Sequence, residues 1–196
     1  RVGLNFVSKI KLFVGLGNPG EKYLLTRHNA GFWWLDFVAL NHRLSFKKTT
    51  KYFGEYSNYQ DNADVHFLKP STFMNESGKS VKAITSFYKI KPEEILIIHD
   101  ELDIVPGKVK LKLGGGHGGH NGVKDISNQL GSNNFWRLRI GIGHPGDKNE
   151  VSSYVLKKPS KIDSGLIEDS IFSSYQIFSL LVNGELDKAM LNLHSA

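Results

Sequence analysis

Apolar runs of strand length alternate with helix-length runs along nearly the whole chain, and most of the strand-like runs stop in glycine and polar residues. "KIKLFVGL" (9–16) reads as a buried strand that enters "GLGNPG", and "EEILIIH" (93–99) enters "HDELD". "KVKLKL" (108–113), a more exposed strand, enters "GGGHGGHNG" (114–122), and "WRLRIGIG" (136–143) enters "HPG". Between them, "AGFWWLDFVALNH" (30–42), "ESGKSVKAITSFYKI" (76–90) and "GVKDISNQL" (122–130) read as helices. "KYFGEYSNYQ" and "DVHFLKP" alternate as a hairpin across Asp61 to Ala63, and 161–193 reads as two closing helices. Such interleaving predicts an α/β fold: a single domain with a mixed, mostly parallel twisted sheet flanked by helices. The length of 196 residues suits one domain, expected over 10–196. Residues 1–9 read as an N-terminal extension or cloning remnant, without the apolar core of a secretory signal.

In open α/β sheets the ligand sits beyond the carboxyl ends of the strands. If the strands are parallel, Asn18, Asp100, Asn121 and His144 share one edge. A net charge of +6, spread from end to end, favours a folded surface for a polyanion such as nucleic acid. Without cysteine there is no thiolate nucleophile, disulfide or Cys-ligated metal, which fits a cytoplasmic setting. No run of 18 apolar residues suggests a membrane span.

Three chemistries compete for the glycine-rich loops. "GLGNPG" and "GGGHGG" both match G-x-G-x-x-G, but the first is followed by "EKYLLTRHN" rather than a helix, and Asp36 falls mid-helix instead of ending a second strand. A nucleotide cofactor is therefore disfavoured. His117 and His120 form an H-x-x-H pair, and His99, Asp100, Glu101 and Asp103 lie together, yet a glycine loop holds no fixed ligand face, so no metal is expected. No G-x-S-x-G elbow is present either. What remains is water activated by a general base. His28, in "TRHNAG", is the candidate, with Asp100 placed to hold one imidazole nitrogen and free the other.

The strings "VGLGNPG", "TRHNAG", "KPSTFMNESGKSV", "HDELDIVPGKVKLKLGGGHGGHNGVKDI" and "FWRLRIGIGHPG" together resemble the bacterial-type peptidyl-tRNA hydrolase family, in order, over roughly residues 10 to 160. The resemblance implies a monomeric, cofactor-free enzyme that hydrolyses the ester between a nascent peptide and tRNA. It implies that His28 is the base, Asp100 its supporting carboxylate, and Asn18 the residue that separates N-blocked from free aminoacyl esters. Asn75 and Asn121 would hold substrate or water, and Tyr23, Phe73 and Met74 would line the cleft. Lys112 and Arg139 would grip the tRNA 5′ phosphate. On this reading the glycines admit the substrate's backbone and ribose, and His120 and Asn121 project the loop's only functional groups. Two other classes stay open from the residues alone: a non-catalytic RNA-binding domain and a nucleotide-dependent oxidoreductase.

Overall fold

The computed structural model describes residues 8–195. Most of the segment 1–9 assigned to an extension lies outside them. Among these residues seven strands form one sheet in the order β2-β3-β4-β1-β5-β7-β6. They are β1 (Leu12–Gly15), β2 (Lys47–Thr49), β3 (Gly54–Tyr59), β4 (Asn62–Pro70), β5 (Ile95–Glu101), β6 (Val109–Leu113) and β7 (Trp136–Gly141). The four central strands, β4, β1, β5 and β7, are parallel to their neighbours within that group. The pairs β2–β3, β3–β4 and β6–β7 are antiparallel.

Among the described residues seven α-helices accompany the sheet: α1 (Ala30–His42), α2 (Ser77–Tyr88), α3 (Asn121–Leu130), α4 (Val151–Val155), α5 (Lys161–Tyr175), α6 (Phe178–Val182) and α7 (Leu186–His194). Two apolar layers result. Phe13, Leu96, Ile98, Leu138 and Ile140 pack with α1, α5, α6 and α7, whereas Leu12, Val14, Ile95 and Ile97 pack with α2 and α3. Successive side chains of a strand leave opposite faces, so runs such as "LFV" and "ILII" are apolar throughout because both faces are covered.

The structure corrects four details. The closing region holds three helices rather than two, because breaks at 176–177 and 183–185 divide it. A short strand, β2, precedes the hairpin at the sheet edge, and α4 follows the "HPG" turn; both are too short to announce themselves by periodicity. Most important, β6 runs against β7, with Leu113 opposite Trp136 and Val109 opposite Ile140. Its glycine-rich continuation therefore begins at the wrong end of the sheet to share an edge with Asp100, and the loop 114–120 has to climb back. Arg137, 3% exposed, holds that climb: Nη2 donates to the Gly115 carbonyl at 2.8 Å and to Asn133 O at 3.2 Å, while Nη1 donates to Gly116 O. Gly118 and Gly119 take φ of 58° and 81°, with nothing within 4 Å of where their Cβ atoms would stand. The left-handed backbone, not crowding, is what calls for glycine there.

Helix α1 begins in contact with the ends of β1 and β5. The Leu16 N–H donates to Ile98 O at 3.0 Å, and a Cβ on Gly31 would lie 2.3 Å from that oxygen and 2.5 Å from Leu16 N. Gly31→Ala should therefore cost about 1–3 kcal/mol, lowering Tm by about 2–4 °C per kcal/mol for a chain of this size. Gly165, on the exposed side of α5 with open space around it, is the contrast. Gly165→Ala should stabilise by about 0.4–1 kcal/mol through the unfolded chain. Equal Tm shifts for the two variants in thermal unfolding would refute the packing argument.

Candidate active site

Three loops converge beyond the carboxyl ends of β1 and β5. From β1 the chain reaches Asn18, whose main chain is clasped by Asn29: Asn18 N–H donates to Asn29 Oδ1 at 2.8 Å, and Asn29 Nδ2 donates to Asn18 O at 3.0 Å. Asn29 is fully buried and closes the 3₁₀ turn Arg27–Asn29 that leads into α1. Sequence reading passed over it, since a lone asparagine before a helix resembles any cap. The Asn18 side chain is itself oriented: its Oδ1 accepts the Met74 N–H at 2.7 Å. A backbone N–H only donates, so the carboxamide oxygen is spoken for and the Nδ2 donor is what Asn18 has to offer.

His28, in the same 3₁₀ turn, meets Asp100 near the end of β5. His28 Nδ1 lies 2.9 and 3.0 Å from the two Asp100 oxygens. His120, arriving by the glycine loop, places Nε2 2.9 Å from Asp100 Oδ1. Its other nitrogen, Nδ1, accepts the Val123 N–H at 3.3 Å as the N-cap of α3, so the proton of its neutral ring sits on Nε2 and points at the carboxylate. One carboxylate thus receives two imidazole N–H groups. His28 donates from Nδ1 and keeps Nε2 as a free base, whereas both nitrogens of His120 are occupied. His120 lines the cleft with both ring nitrogens hydrogen-bonded within the protein.

Charge follows geometry. Burial by itself would raise the Asp100 pKa, but the adjacent His28 and His120 rings, by charge and hydrogen bond, hold it well below the usual carboxylate range. Burial pulls His28 down, and the Asp100 charge and hydrogen bond outweigh it, leaving its pKa above the ordinary 6.5. Burial and the neighbouring His120 push His99 down to about 3, so it stays neutral. His99 Nδ1 donates to the Asp100 carbonyl at 2.8 Å, and its Nε2 has no partner among the described residues.

A cavity of about 280 Å³ opens over these groups. It is lined by Asn18, His28, Phe73, Met74, Asn75, Asp100, Gly118, Gly119, His120 and Asn121, with Glu101, Leu102 and the α4 segment Val151, Ser152, Val155 and Leu156 on other walls. The α4 wall was not legible in sequence, because "VSSYVL" carries no motif. Tyr23 stands outside the lining, edge-on to Phe73 with centroids 6.5 Å apart. His144 turns back to accept Gly146 N–H at 2.9 Å and does not reach the cavity. Lys112 pairs across the strands with Arg137, and Lys110 with Arg139, so Lys112 and Arg139 are diagonal neighbours on one face of the sheet. Arg139 grips Glu101 Oε1 through Nε at 2.9 Å and Nη2 at 2.8 Å, and Lys112 is exposed.

His28, Asp100 and His120 could each offer a metal ligand within 4.8 Å of the others, while His117 of the H-x-x-H pair is not in that group. A metal on His120 Nε2 would force the ring proton onto Nδ1, against the Val123 N–H, so the set as hydrogen-bonded does not suit a metal. After "GLGNPG" comes a 3₁₀ turn (Glu21–Tyr23), and Asp36 lies on α1 bonded to Lys69 at 2.6 Å. The segment that directly follows that glycine loop is thus not the helix that a dinucleotide fingerprint needs.

Comparison with known proteins gives one answer. Residues 12–196 match the family described as peptidyl-tRNA hydrolase. A peptidyl-tRNA hydrolase of Yersinia pestis is 55% identical over 191 residues, covering 96% of this chain and 97% of that one. One of Delftia acidovorans is 56% identical over 187 residues, covering 95% and 90%. The crystal structure of peptidyl-tRNA hydrolase from Acinetobacter baumannii superposes with a TM-score of 0.92 at 47% identity, covering 95% of each chain.

The His28–Asp100 pair makes a prediction about protonation. By NMR, the His28 ring should titrate above its ordinary 6.5. In Asp100→Asn the favourable charge is gone while burial remains, so the midpoint should fall. A midpoint in that variant at or above the wild-type value would mean that Asp100 does not govern His28.

Proposed function

The chain belongs to the peptidyl-tRNA hydrolase family, and on that basis we propose that it cleaves the ester between a peptide and tRNA by water activated at His28, with no metal, cofactor or covalent intermediate. The observation that carries this reading is the 2.9 Å contact of His28 Nδ1 with buried Asp100, which leaves Nε2 of a cavity-lining imidazole free to take a proton. Water held at Nε2 loses its proton as its oxygen attacks the ester carbonyl. Asp100 keeps the tautomer and stabilises the imidazolium that forms. The proton then passes to the departing ribose oxygen, and the peptide leaves as the free acid.

The carboxamides supply what the base cannot. With Oδ1 fixed by Met74, Asn18 presents an N–H donor, suited to a carbonyl of an N-blocked substrate or to the charge developing on the ester oxygen. A protonated free α-amino group has no acceptor to meet there, which favours blocked over free aminoacyl esters. Asn75 and Asn121 line the same cavity and are assigned to substrate and water. Phe73 and Met74 are assigned to the apolar side of the cavity, with Tyr23 edge-on to Phe73. The catalytic unit is the single domain from residue 10 onward. The reading includes action as a monomer, which a cavity lined from one chain supports, and a cytoplasmic setting, which a tRNA ester substrate supports.

His28→Ala should reduce hydrolysis of N-acetyl-aminoacyl-tRNA by about 10²–10⁴-fold while tRNA binding persists. A loss below tenfold would assign the base elsewhere. The raised pKa puts the acid limb of the wild-type rate profile above 6.5, because the protonated ring cannot act as base.

Lys112 and Arg139 are assigned to the 5′ phosphate of tRNA, Arg139 sharing its guanidinium with Glu101. Alanine at either should raise KM for full-length substrate with little change in kcat. It should also reduce the salt dependence of binding by a slope of about 0.7–0.9 per charge. An ester of a short oligonucleotide lacking that phosphate should be cleaved as before. Equal losses on both substrates would remove these residues from the tRNA contact.

A further inference from the structure

Next to the histidine assigned as base stands an arginine that the chemistry does not use. Arg27 is 8% exposed, and among the described residues no carboxylate pairs with it. Its Nη1 donates to Tyr154 O at 2.9 Å and to Lys157 O at 3.3 Å, and its own N–H donates to Lys157 O at 3.1 Å. The guanidinium lies 3.7 Å from the centroid of the Tyr154 ring. Tyr154 is tied in turn to the end of β7, its hydroxyl donating to Ile142 O at 2.7 Å.

These partners are the Tyr154 carbonyl in the last turn of α4, which also accepts the Lys157 N–H at 3.1 Å, and the Lys157 carbonyl just beyond the helix, where intrahelical donors run out. Five residues are too few for a helix to persist alone. Within α4 only Val155 is buried, so the apolar grip on this segment is small. A buried cation without a carboxylate is costly unless charge-assisted hydrogen bonds and an aromatic face receive it, and Arg27 has both.

We propose that Arg27 is a positioning residue: a latch that seats α4 against the His28 turn and so forms the wall of the cleft that receives the peptidyl group. Val151, Val155 and Leu156 give that wall an aliphatic face, matched to peptide side chains rather than to ribose or phosphate. The choice of ligand rests on the function proposed above; the latch itself does not. Because the wall contacts substrate without touching the reacting atoms, its loss weakens binding and spares the chemical step.

The test compares wild type, Arg27→Met and Arg27→Lys by amide hydrogen exchange and by KM and kcat on N-acetyl-aminoacyl-tRNA. In Arg27→Met, exchange across 151–158 should rise by about tenfold or more while β1 and β5 keep their protection. KM should rise about tenfold with kcat within about threefold, and the acid limb should not move. Arg27→Lys, which keeps charge but neither fork nor stacking, should fall between. Should Arg27→Met fail to fold, Tyr154→Leu removes the stacked ring and the Ile142 tie and should show the same local exchange and KM effects. Unchanged exchange at 151–158, a rise spread over the whole sheet, or a fall in kcat at constant KM would each overturn the latch. Exchange is read without turnover, so an inactive wild type would defeat the functional reading while the latch is still judged on its own.

Discussion

The arrangement of this site depends on one carboxylate that is almost out of water. Asp100, with a side chain 2% exposed, would be costly to bury as an anion without compensation. Two imidazole N–H groups from different parts of the chain supply that compensation, and in doing so they are themselves aligned. His28 gains a fixed tautomer with one free nitrogen; His120 is locked as a spacer that also caps α3. Removing either partner would leave the charge underpaired, so the polar cluster is strongly specified.

That cluster requires three chain segments to meet at one point, and the sheet brings them there by different routes. His28 comes from the turn ahead of α1, seated by the glycine contacts of Gly31 with β1 and β5. Asp100 comes along β5. His120 comes by a detour, because β6 is antiparallel and delivers the chain to the far end of the sheet. The glycine-rich stretch provides the backbone freedom for this return, and Arg137 pins it at Gly115 and Gly116. Histidine-bearing glycine loops suggest phosphates or metals on sight; here the glycines serve the path of the chain.

A second division of labour separates rigid from applied structure. His28, Asp100 and Asn18 are held by the ends of central strands, by the 3₁₀ turn ahead of α1 and by the reciprocal Asn18–Asn29 bonds. The far wall of the cleft, α4, is a short element fastened to that frame by side chains. Chemistry needs its groups fixed closely, whereas a wall that only receives substrate can be built on a less stable piece.

Much of this was legible in the letters. Continuous apolar runs on strands and their alternation with helices imply a sheet covered on both faces, because only then are both sides of a strand apolar. Asp100 and Asn18 stood out because polar residues at the ends of buried strands have few structural reasons to be there, His28 as an imidazole ahead of a helix that such a carboxylate could support, and five ordered motifs identified the family. What tertiary structure alone decided was direction and partnership. The reversal of β6, the occupied nitrogens of His120, the orientation of the Asn18 amide, the clasp of Asn29 and the α4 wall held by Arg27 all depend on which distant group lies opposite. Local periodicity records which residues are buried. It does not record which way a strand runs or which hydrogen-bond partner awaits a side chain, since those are settled by contacts between residues tens of positions apart.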